Sequence, residues 1–130
     1  MQAKYVDNDH FFDVLINFLK DFLNNYYEIK IPLKITPPGR YTSSDSSAAK
    51  VWPDSNNLDF SLKDLINLKL QRNSSGASLG QIYRQQIGNK TFSVYGNPNL
   101  GEVRGILIGV ENAKDGNPFD LFTEVWVNEL

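Results

Sequence analysis

Trp52 and the polar side chains that follow it are the residues of this sequence best suited to bind a ligand. Asp54, Asn56, Asn57 and Asp59 come within seven positions of the tryptophan. A flat aromatic face packs on the C–H groups of a sugar ring while amides and carboxylates bind its hydroxyls, so one interpretation is a sugar-stacking platform. The other is that Trp52 covers an end of the core and that its polar neighbours form turns.

Two further binding hypotheses come from the same residue types. The side-chain oxygens of Asp54, Asn56 and Asp59 suit Ca²⁺, although their spacing matches no EF-hand loop. Trp126, within the run Val-Trp-Val, is a second candidate for stacking on a ligand. Apart from this structural Ca²⁺, the sequence predicts no cofactor.

The residues needed for catalysis are scarce. The chain has no cysteine and one histidine, His10, which stands beside an apolar run, so Cys-His chemistry is excluded and a Ser-His-Asp arrangement is disfavoured. Glu124 and Glu129 are five positions apart and would point to opposite faces of a regular strand. We therefore predict that the protein is not an enzyme, with no catalytic residue and no metal centre of His and Cys ligands.

Composition limits the class of protein. A chain of 130 residues with 41% hydrophobic residues suits one domain with a single core. Its 13 basic and 15 acidic residues show no basic stripe, which disfavours nucleic-acid binding. No window approaches the roughly 20 apolar residues of a membrane helix, and the first ten residues lack the apolar stretch of a secretory signal.

The elements that would position these residues change along the chain. Nearly continuous apolar residues predict a helix over residues 11–23, within a helical lead-in of residues 1–25. Alternation then predicts a strand over residues 26–33, where Pro32 favours an edge or a bulge. The polar residues 40–50 predict a mobile surface loop.

The second half contains a helix, a hairpin and further strands. Ser61 and Asp64 resemble a capping box before a short amphipathic helix, and Gly88-Asn89 suits a two-residue hairpin turn. Glycines 101, 105 and 109 recur every four residues, which we interpret as room for a bulky neighbour such as Trp126 or Phe92. The predicted fold is mainly β: an antiparallel β-sandwich over residues 26–130 with one or two short covering helices, in a single domain of residues 1–130.

Three segments carry a family resemblance. VWPDSNNLDFSLKDLINLK, YGNPNLGEVRGILIGVEN and TEVWVNEL resemble pieces of the SprA family, the very large outer-membrane protein of gliding motility and type IX secretion. In that family the last segment typically runs on into Arg-Leu-Ser. The resemblance implies an internal fragment of a protein-export translocon. The order of the final strands is also similar to galactose-binding-like jelly rolls, the fold of many carbohydrate-binding modules.

Two functions follow from these observations. The resemblance implies a soluble, non-catalytic structural and interaction domain of an outer-membrane translocon in the cell envelope. Its partners would be other parts of the same translocon and its accessory proteins, and the fragment itself would not span the membrane. The alternative is a carbohydrate-binding module of a cell-surface protein that uses Trp52 or Trp126.

Overall fold

The computed structural model describes residues 2–3, 11–18, 24–112, 120 and 122–126. The chain divides into two compact units. The first unit comprises Met1–Asp13, Pro32–Asn57 and Val110–Leu130, and the second comprises Val14–Ile31 and Leu58–Gly109. The single-domain organisation expected over residues 1–130 stays a prediction.

Strands dominate the described residues. In chain order the elements are β1 (Gln2–Ala3), β2 (Phe11–Phe18), β3 (Tyr26–Lys34), α1 (Asp45–Val51), a 3-10 turn (Asp54–Asn56), α2 (Leu62–Ser75), β4 (Tyr83–Ile87), β5 (Lys90–Tyr95), a second 3-10 turn (Leu100–Glu102), β6 (Ile106–Glu111) and β7 (Val125–Trp126). Five strands form an open sheet in the order β4-β5-β3-β2-β6, and β1 pairs with β7. The mainly β class with short helices is therefore confirmed, in the form of an open antiparallel sheet.

In strand β3 the alternation of residue types in the sequence matches the alternation of buried and partly exposed side chains. Tyr27, Ile29, Ile31 and Leu33 are all buried, and the residues between them are only partly covered. This alternation is that of a strand with one face in a core. The predicted strand is thus confirmed. Of the two positions that Pro32 favours, the edge is wrong, because β3 is third of the five strands, and the bulge stays a prediction. On the side of β5, Pro32 breaks no strand pairing, because the pairing of β3 with β5 ends at Lys30.

Helix α2 covers the second unit's part of the sheet. The Ser61 hydroxyl accepts from the Lys63 N–H at 3.2 Å, and the Asp64 carboxylate accepts from the Ser61 N–H at 3.1 Å. This reciprocal cap satisfies N–H groups that would otherwise have no partner. After this cap, Leu65 and Leu68 are the buried apolar residues of α2. They share one core with four residues of the sheet: Tyr27, Ile29, Phe92 and Val94. The predicted helix and its cap are confirmed.

The predicted hairpin is also confirmed. Gly88 has φ +63°, a conformation that two-residue hairpin turns need and that glycine adopts without a Cβ clash. Ile87 pairs with Lys90 across the turn, and the inward residues of β5 are Phe92 and Val94, as expected.

The helix predicted over residues 11–23 is wrong for residues 11–18, which form β2. Residues 19–23 lie outside the described part of the chain. A continuous apolar run does not distinguish a buried strand from a buried helix, and the Phe, Val and Ile residues of this run favour the strand. The loop predicted at residues 40–50 instead contains most of α1.

Candidate functional site

Trp52 lies at the end of α1 and is half-buried. Its indole Nε1–H donates to the side-chain oxygen of Asn57 at 2.8 Å. This hydrogen bond holds the indole ring against its own loop. The side-chain oxygen of Asn57 is therefore already bonded to Trp52. A stacking role for Trp52 stays a prediction.

Asn56, a proposed Ca²⁺ ligand, is fully buried and bonded to backbone. Its side-chain oxygen accepts from the Lys34 N–H and its amide nitrogen donates to the Lys34 carbonyl, both at 2.8 Å. The side chain thereby replaces a neighbouring strand at the end of β3. Sequence reasoning did not foresee this role, because the two residues are 22 positions apart.

The two aspartates of the Ca²⁺ hypothesis are both exposed, and they belong to different units: Asp54 to the first and Asp59 to the second. In the portion of the chain that the structure describes, no three His, Cys, Asp or Glu residues are grouped to hold a metal ion. The Ca²⁺ site therefore stays a prediction.

Trp126 lies in β7, where it pairs with Gln2 of β1. The surroundings of its side chain lie outside what the structure describes, and its stacking role also stays a prediction.

The face of the second unit's sheet that points away from α2 carries polar and aromatic groups. Tyr26 and Tyr95 stack with ring centroids 5.5 Å apart, and Ser93 lies between Glu28 and Arg84 in the strand register. Burial, and secondarily the Glu28 carboxylate, raises the pKa of the Tyr26 phenol. The Ser93 hydroxyl is buried and has no hydrogen-bond partner.

Two basic residues of α2, Lys69 and Arg72, bind backbone carbonyls of the loop at residues 96–98, so they hold this loop in place. Arg72 is fully buried and donates to the Gly96 carbonyl and to the Asn73 side chain, while Lys69 donates to the Pro98 carbonyl at 2.7 Å. Burial, and secondarily the nearby Arg72 charge, lowers the pKa of Lys69. Sequence reasoning missed Arg72 as a buried residue, although its spacing from Leu65 and Leu68 places it on their helical face.

Strand β6 is the most exposed apolar element among the described residues. Ile106 is 60% exposed, Leu107 49%, Ile108 47% and Val110 40%. Successive residues of a strand point to opposite faces, so both faces of β6 are partly exposed. β6 is also the last strand in the order of the sheet, so it lies at an edge of the described strands.

We expected the glycines of this run to make room for a bulky neighbour, but among the described residues the structure shows none packed against them. A Cβ built at Gly105 or Gly109 would meet nothing within 4 Å, and Gly101 lies in a 3-10 turn before the strand. The open space at Gly105 and Gly109 does not support the packing interpretation.

The opposite outer strand, β4, carries different side chains. Its sequence Tyr-Arg-Gln-Gln-Ile has three polar residues in the middle, and Arg84 and Gln86 are exposed. Charged and polar side chains on an edge strand discourage further pairing. β6 has no such protection between Ile106 and Val110, which makes it the strongest candidate for a binding surface.

Comparison with known proteins places the chain in one family. Neither the curated proteins nor the solved structures include a match. No described helix has the length and apolar character needed to cross a membrane. The family model SprA_N, described as motility related/secretion protein, matches residues 2–130. The match covers nearly the whole chain, which therefore belongs to the SprA_N family of motility related/secretion proteins.

Proposed function

We propose that this chain is a non-catalytic structural and interaction domain of an outer-membrane protein-export translocon that serves gliding motility and type IX secretion. Its partners are other parts of the same translocon and its accessory proteins, in the cell envelope. Family membership supplies the context of motility and secretion. The observation that carries the proposal is β6, whose apolar side chains are exposed on both faces.

The energetics of β6 support an interaction role. The aliphatic side chains of β6 are about half exposed, so each gains roughly 1 kcal/mol, about half of the value for a fully exposed side chain, when a partner covers it. Large exposed apolar patches mark sites of contact with another protein, a membrane or a ligand, and we propose the first for β6. Exposing the apolar side chains of β6 to water costs free energy, and burying them against a partner recovers it.

The proposal that the domain is not an enzyme rests on its inventory of side chains. The whole chain has one histidine and no cysteine. The buried serine hydroxyl of the polar sheet face, Ser93, has no partner that would activate it. Both observations favour binding over chemistry.

We include in the proposal the β-sandwich of galactose-binding-like, jelly-roll type that the sequence predicts. Its support is the antiparallel pairing of the described strands; at Tyr27 and Ile29 the buried face of β3 packs against α2 and not against a second sheet. The fold analogy adds no evidence for sugar binding.

Deletion in cells tests the proposed function. Residues 24–112 are removed in frame from the chromosomal gene, and cargo in the medium is measured together with the level of the shortened protein in the outer membrane. We expect cargo secretion to fall while the protein level is unchanged. Normal secretion at a normal protein level contradicts a role in export. Saturable binding on a glycan array that Trp52→Ala abolishes contradicts a purely structural role.

A further inference from the structure

We draw no further inference here: the strongest candidate, the polar sheet face opposite α2 with the buried and unpartnered hydroxyl of Ser93 between Glu28 and Arg84, carries nothing, because nothing among the described residues shows which ligand or chain segment covers it.

Discussion

Leu68 of α2 and Ile108 of β6 are aliphatic side chains of similar size in opposite situations. Leu68 is fully buried with Phe92 and Val94, whereas Ile108 is 47% exposed. The core formed by α2, β3 and β5 is complete within the described chain, and we call it the closed core. The closed core holds the second unit together, whereas β6 leaves apolar surface exposed; in the function that we propose, that surface contacts a partner.

The largest expected effect is in the closed core. Phe92 is 1% exposed and makes an edge-to-face contact with Phe60. Phe92→Ala is expected to lower the free energy of unfolding by about 3–5 kcal/mol, because it leaves a cavity. Ile108→Ala, its counterpart on β6, should lower it by only about 1 kcal/mol, because Ile108 is already 47% exposed. Urea denaturation followed by circular dichroism measures both. Equal losses would remove the distinction between the two regions.

The turn after β5 should tolerate substitution almost as poorly. Gly96 has φ +69°, and a Cβ there would stand 1.9 Å from the backbone oxygen of Asn24. Gly96→Ala is expected to cost about 3 kcal/mol or more, since both strain and a backbone clash oppose it. Gly76 is the control: its φ is +73° but it has open space, so Gly76→Ala should cost only about 1 kcal/mol. Equal costs would show that the clash relaxes.

In the first unit, Asn56→Ala is expected to cost about 2 kcal/mol, because both Lys34 backbone groups lose their partner. Asn57→Ala, which removes only the bond to the Trp52 indole, should cost less. Thermal unfolding with and without millimolar Ca²⁺ checks both variants. Stabilisation by Ca²⁺ that disappears with Asn56→Ala would instead identify Asn56 as a metal ligand.

The smallest effect is a dependence on pH that originates in the closed core. Burial raises the pKa of the Tyr27 phenol, an effect that the nearby Arg72 charge partly offsets. The raised pKa favours the protonated phenol in the folded state. Its contribution to stability is therefore complete below the usual value of about 10 and is lost as the pH rises through the raised value. Unfolding midpoints between about pH 8 and 11 should fall less steeply for Tyr27→Phe than for the unmodified chain. An unchanged slope would contradict the assignment.

Local signals in the sequence predicted the elements whose cause is local. The capping residues Ser61 and Asp64, the turn at Gly88 and the alternation along β3 each act over a few positions, and each is confirmed. The family resemblance is confirmed as well.

What failed depended on contacts distant in the sequence. Whether the apolar run at residues 11–18 forms a helix or a strand depends on which strands lie beside it. The bonds between Asn56 and Lys34 and between Arg72 and Gly96 span 22 and 24 positions. The exposure of β6 was missed because an apolar strand has the same sequence pattern whether its cover lies in the same chain or in a partner.

The most direct test of the central claim separates folding from function on β6. Ile106→Ser combined with Ile108→Ser is introduced into the full-length protein in cells and into the isolated chain, with Arg84→Ser combined with Gln86→Ser on β4 as the matched control. We predict that the β6 variant loses less stability as an isolated chain than Phe92→Ala does and loses cargo secretion in cells, while the β4 variant keeps its stability and cargo secretion. Normal secretion by the β6 variant, or a loss of stability equal to that of Phe92→Ala, would contradict the claim that β6 is a surface for a partner.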